Sequence, residues 1–313
     1  MIDVDDIPKV ISKSRPNLKP NSVRQYEIQL NKLKSLFESD NYDFLKNINS
    51  VKDKLKDLHY TSVRNMYNAI IILLMALNDN NKYDKLIKEY GDLRDELNTK
   101  YEEQVKSKKL TEKEEKNFAK IEDIEDMISK LTTEIKTYKK KTSLNKMEVS
   151  KLRAWILFNM LIRIPTRNDA SNMKYISQKS YKSLSDEDKK NNNYLVNERN
   201  NMKFIYNVYK TSKKWGENVI PVPQDLKPML RLYIKLMDYK VGDNIFPMSR
   251  NAISQLLTKT SKQYLNKNIS SSMIRKIYLT EKYGNINEEM KKDAKMLGHS
   301  VQTQQKVYVK NDE

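Results

Sequence analysis

The sequence predicts a mainly helical protein whose second half carries one small β-hairpin or sheet. Apolar residues recur at steps of three and four along most of the 313 residues, the period of an α-helix. Only two short stretches, 202–209 and 218–222, alternate as strands do, and Gly216 lies in the turn between them. The length fits one large domain or two ordinary ones. A hydrophobic fraction of 38% is low but enough for real cores.

Residues 1–20 hold Pro8, Pro16 and Pro20 among polar residues and are expected to form an arm with little regular structure. Asn21 and Ser22 then cap a helix through Val23, Tyr26, Leu30, Leu33 and Phe37. A second helix is expected over 44–58, on Leu45, Ile48, Val51, Leu55 and Leu58. Thr61 or Ser62 opens a third through Leu77, and its apolar run 69–77 marks a buried core helix. Tyr83, Ile87, Tyr90, Leu97 and Tyr101 form a stripe on a charged helix. Thr111 and Glu114 have the spacing of a capping box that starts the next one. Beyond it Ile121, Ile124, Ile128, Leu131, Ile135 and Tyr138 make a heptad seam. That seam either closes a hairpin onto the Tyr83–Tyr101 stripe or pairs with a second protomer.

Lys139, Lys140, Lys141 and Thr142 read as a basic linker, which puts a domain boundary at 140/141 and divides the chain into 1–20, 21–140 and 141–313. Ser143 caps a helix containing Leu152, Trp155, Ile156 and Leu161 that Pro165 must end or kink. The polar stretch 177–201 reads as an exposed insertion. After the hairpin, helices are expected over 226–237, 250–264, 271–283 and about 288–297.

The composition removes several classes of function. With no cysteine there is no disulfide scaffold, thiolate zinc site or cysteine nucleophile. Two histidines, His59 and His299, exclude a His-rich metal site, and no Gly-rich phosphate loop occurs. The longest apolar run is far short of the ~20 residues of a membrane span, and the acidic start of the chain is unlike a signal peptide. A soluble intracellular protein is expected. Fifty-nine Lys and Arg against 41 Asp and Glu leave a net charge of +18, which points to a polyanionic partner such as nucleic acid. A Lys-, Asn- and Ile-rich composition is equally compatible with an AT-rich genome, including that of a mobile element or virus. Specific chemistry has to come from motifs.

The most informative motif closes the chain: Met296-Leu297-Gly298-His299, with Tyr308 nine positions after the histidine. Upstream, Arg167 in Ile164-Pro165-Thr166-Arg167-Asn168-Asp169 follows an apolar helix and has an acid two residues on. Lys210 ends the first β pattern, Val219-Ile220-Pro221-Val222 forms the second, and Ser272-Met273-Ile274-Arg275 lies 24 residues before His299. Taken singly, each has a plainer use, such as an Arg167–Asp169 ion pair capping a helix or Lys210 as an ordinary hairpin lysine. In this order and spacing they resemble the tyrosine recombinases, the phage integrase family of DNA breaking and rejoining enzymes. The resemblance covers roughly residues 145–310, and at pattern level 20–105, where Asn21 to Phe37 is similar to the first helix of the family's core-binding domain. It departs from the family at Pro165, which replaces a glycine, at Ser272, which replaces the usual histidine, and in the long stretch between Arg167 and Lys210.

This resemblance implies a helical N-terminal core-binding domain and an α+β catalytic domain that together form a clamp around double-stranded DNA. It implies a homo-oligomer, a tetramer on paired duplexes, with no cofactor and no membrane. Tyr308 would attack the phosphodiester to give a 3′-phosphotyrosyl link, and Lys210 would protonate the departing 5′ oxygen. Arg167, Arg275, His299 and Ser272 would hold the non-bridging oxygens. Arginine suits that task because its planar fork meets two oxygens and stays charged. Lys213 and Lys214 in the hairpin turn, and Lys139, Lys140 and Lys141 between the domains, are candidate contacts to the DNA backbone. Few residues follow Tyr308, so assembly is expected to use other surfaces, the heptad seam among them. Two other readings share these residues: a type IB topoisomerase, which relaxes supercoils as a monomer, and a relative that only holds DNA.

Overall fold

The expected N-terminal arm contains a helix in the computed structural model, which describes residues 2–198, 201–298 and 300–305. The Asp6 carboxylate accepts from Lys9 N, and Pro8 lies in the first turn of α1 (Ile7–Ser14), where a missing N–H costs nothing. Ile7 and Ile11, one turn apart, are buried together with Ile2. Pro20 likewise opens α2 (Pro20–Leu36). Two of the three prolines that suggested irregular chain thus mark where helices begin, and Pro16 lies in the turn between them.

Three more helices complete the first unit, Met1–Lys109: α3 (Ile48–Leu55), α4 (Tyr60–Ala76) and α5 (Asp84–Ser107). The central one is α4, buried along most of its length as its apolar run predicts. The α5 stripe lies against α4. Tyr83 and Tyr90 are buried there, and the Tyr90 hydroxyl donates to Leu45 O at 2.8 Å.

The second unit, Leu110–Glu313, begins with α6 (Glu112–Asn117), which the Thr111–Glu114 capping box opens as expected. α7 (Ile121–Tyr138) carries the heptad seam. Ile124, Leu131 and Ile135 are almost wholly buried among residues of this unit, where α7 packs on α8 (Lys146–Arg163), α13 (Arg250–Leu265) and α14 (Ser271–Met296). The seam is therefore core, and its buried side is not free to meet a second protomer. Lys139–Lys141 consequently join two helices of one core, α7 and α8. The division of the chain falls at Lys109/Leu110 instead of 140/141.

The polar stretch 177–201 is not a simple surface insertion. Between β1 (Lys174–Ser177) and β2 (Tyr194–Glu198) it forms two short helices, α9 (Gln178–Lys182) and α10 (Asp186–Asn191). β2 then pairs in parallel with β1 and antiparallel with β3 (Asn201–Tyr206), setting Leu195 opposite Phe204. Tyr194, Leu195 and Val196 are buried, on both faces of the strand. Beyond β3 the chain turns through α11 (Ser212–Trp215), and Gly216, at φ 68°, leads it into β4 (Asn218–Pro221). The sheet order is β1-β2-β3-β4.

α12 (Lys227–Leu236), α13 and α14 close the unit, with the three-residue α15 (Val301–Thr303) after them. α14 is continuous, although two helices are expected over its length. Gly284 lies within it, and one glycine costs a helix only about 1 kcal/mol, too little to break it. No helix among the described residues is long and apolar enough to cross a membrane.

Candidate functional site

α8 runs through the centre of the second unit, with Leu152, Ile156 and Phe158 fully buried. Side chains of this size each contribute about 1.5–3 kcal/mol on burial, so the helix is firmly held. It stops at Arg163 because Pro165 forces the preceding residue out of helical conformation. The irregular segment that follows delivers Thr166, Arg167, Asn168 and Asp169 to one edge of the core.

Arg275, in the second turn of α14, meets that segment. Its Nε donates to the Pro165 carbonyl at 2.8 Å, across 110 residues of sequence. Burial holds the Arg275 guanidinium below its usual pKa, the positive charge of Arg167 pushes the same way, and Asp169 opposes both. The two arginines that the motifs mark are thus electrostatic neighbours. Arg167 is exposed and Arg275 half-buried, so both face a surface that solvent or a ligand reaches. Ser272 lies on the same side of α14, one turn before Arg275, and is exposed.

Asp169 is buried and is the negative member of the group. Its Oδ1 pairs with Arg250 Nη2 at 3.0 Å. Burial raises its carboxyl pKa above the usual range, against the pull of Arg250, Arg167 and Arg275 in that order. The same Arg250 Nη2 donates to Val208 O at 2.9 Å. Asn168 Nδ2 donates to the Arg250 carbonyl and to Ser254 Oγ, both at 2.7 Å. The start of α13 is thereby tied to the segment after α8.

The hairpin is attached to this cluster by Asn193. Its Oδ1 accepts from the backbone N–H groups of Asn207 and Val208, each at 2.8 Å. Its Nδ2 donates to Val208 O at 3.0 Å and to Asp169 O at 2.8 Å. Tyr206, at the end of β3, is buried, and its hydroxyl hydrogen-bonds Thr166. Lys210 follows two residues after Val208 and is exposed in the turn. Lys213 and Lys214 are exposed on α11, where Lys214 Nζ sits 4.8 Å from the ring of the exposed Trp215.

The remaining candidates are placed less centrally. Lys139 and Lys140 are exposed after α7, and Lys141 is engaged with Glu148, the capping-box glutamate of α8. His299 and Tyr308 lie outside the described residues. Sequence motifs do not mark Arg250 or Asn193: one opens an ordinary amphipathic helix, and the other stands in a run of three asparagines that looks like surface loop. Among the described residues no three His, Asp or Glu side chains come together as a metal-ion site. The chemical offer of the site is three guanidinium groups around one buried carboxylate. That is a net positive cluster suited to an anion with several oxygens. No protein-family model, curated protein or solved structure matches this chain.

Proposed function

We propose that the chain is a DNA strand transferase of the tyrosine recombinase kind, which cuts and rejoins double-stranded DNA through a 3′-phosphotyrosyl intermediate. The observation that carries this reading is the meeting of Arg167 and Arg275. They are more than a hundred residues apart in sequence, yet they converge through the Arg275–Pro165 hydrogen bond and share the buried Asp169. Each belongs to a separate sequence motif, and the fold brings the two motifs together. Two further facts support the reading. The hairpin that carries Lys210 is bound to the same cluster by Asn193. The first unit is helical and without strands throughout its described residues, unlike the small β domain with which poxvirus-like topoisomerases begin.

In the proposed reaction the Tyr308 oxygen bonds to phosphorus and the bond from phosphorus to the 5′ oxygen breaks. Lys210 gives a proton to that leaving oxygen, and the phenol proton passes to solvent or a neighbouring base. Negative charge grows on the non-bridging oxygens as phosphorus becomes five-coordinate, and Arg167 and Arg275 hold it in place. Ser272 adds one neutral donor where the family's histidine adds a charged one. The link stored in the phosphotyrosine allows a second 5′-hydroxyl to reverse the step on a partner duplex within a tetramer.

The direct test is covalent capture. The protein is mixed with nicked duplexes carrying a random-sequence core, and complexes that survive detergent denaturation are sequenced. Capture of a defined sequence, abolished in Tyr308→Phe, is expected. Absence of any detergent-stable complex, or capture unchanged in Tyr308→Phe, would sink the reading.

A further inference from the structure

We propose that Arg250 is a positioning residue of the arginine cluster: it takes up the charge of Asp169 and ties the chain just after β3 to the cluster, leaving Arg167 and Arg275 available to a phosphate. The proposal rests on the phosphoryl-transfer reading above and deepens it by assigning a residue that no motif marks.

Geometry carries it. Asp169 is buried beside three arginines, and Arg250 forms an ion pair with it at 3.0 Å. A buried carboxylate without such a partner draws the nearest cations onto itself, which here are Arg167 and Arg275. With Arg250 in place the group holds three positive charges against one negative. That net charge matches a phosphodiester, singly charged at rest and more negative as phosphorus becomes five-coordinate. Without Arg250 half of that surplus is gone, and the remaining guanidiniums turn inward.

The second part follows from the same atom. Arg250 Nη2 also donates to Val208 O, two residues before Lys210. The contact fixes the base of the hairpin to the cluster, and so sets where the Lys210 amine stands relative to the anion. About half of the Arg250 side chain is exposed, so filling a hydrophobic core is not its role.

The test uses the full chain and inorganic phosphate as the probe, so that it does not depend on knowing the DNA target. Phosphate binding is titrated by NMR for wild type, Arg250→Ala, Asp169→Asn and the double variant Arg250→Ala/Asp169→Asn. Thermal melts report folding in parallel. Arg250→Ala is expected to weaken phosphate binding about tenfold, and the double variant to return to within about threefold of wild type. A merely structural arginine would not be rescued by removing a carboxylate. Undiminished binding in Arg250→Ala, a double variant as weak as Arg250→Ala, or no binding by the wild type would each overturn the proposal. Failure of covalent capture with these phosphate results intact would instead count against the recombinase reading alone.

Discussion

At the scale of single residues, Asp169 and Asn193 are the two side chains whose loss should be felt in opposite directions. Burial raises the Asp169 carboxyl above its value in the unfolded chain. A group raised on folding contributes its stability below the unfolded value and loses it as pH climbs through the folded one. Wild-type protein at pH 7 therefore carries the cost of an ionised, buried carboxylate, which Asp169→Asn does not. We expect the asparagine variant to melt higher than wild type at pH 7 and the gap to close as pH falls into the carboxylate range. A variant that melts lower at neutral pH would show that the three arginines outweigh burial. Asn193 is the reverse case. It satisfies two backbone N–H groups and two carbonyls in a buried position, so Asn193→Ala leaves them unpaired at a cost of about 2–3 kcal/mol. Chemical denaturation of the full chain measures this directly, and a loss below about 1 kcal/mol would mean that water replaces the amide.

At the scale of elements, α7 decides between two architectures. Leu131 is fully buried, so Leu131→Ala should destabilise the monomer by about 2–5 kcal/mol. A seam used only between protomers would instead leave the monomer unchanged and alter assembly. Glu134 on the same helix bonds Lys151 of α8 and Tyr264 of α13, both at 2.5 Å. Burial pushes its carboxyl up, but these partners outweigh it and hold the pKa below the usual glutamate value. A depressed value contributes stability above the unfolded pKa that is lost as pH falls through the folded one. Glu134→Gln should therefore cost roughly 1 kcal/mol at pH 7, modest because a third of the side chain meets solvent, and nothing at low pH. Melting both proteins across that range checks the convergence.

The elements also show what could be read in the sequence and what could not. Helical periodicity located α2, α4, α5, α7 and α8 because apolar spacing and burial are the same physical fact. The partner of an apolar stripe is another matter. Ile124 and Ile128 look identical whether they face another helix, another domain or another chain, so the seam was legible and its destination was not. β2 was hidden because its five residues are preceded by two polar helices, whose composition dominates any window drawn across them. Ordered motifs single out Arg167 and Arg275, two arginines that the fold makes electrostatic neighbours. No motif marks Arg250 or Asn193, because their contacts are made across the fold and leave no local pattern.

At the scale of the whole molecule, charge is not shared between the two units. Residues 110–313 hold 39 of the 59 basic and 24 of the 41 acidic side chains, a surplus of 15. The first 109 residues hold 20 and 17, a surplus of 3. The second unit also has its own core, from α7 through α14 and the sheet, so a fragment beginning at Leu110 is expected to unfold cooperatively on its own. If this unit meets the DNA backbone, it should carry most of the salt dependence of binding. Each phosphate neutralised contributes about −0.9 to the slope of log affinity against log salt. A 110–313 fragment should then keep the larger part of the full chain's slope on a nonspecific duplex, while a 1–109 fragment binds weakly with a shallow slope. Retention of the steep slope by 1–109, with little left in 110–313, would move the DNA-binding face away from the arginine cluster. The cluster would then lose its claim to a backbone phosphate.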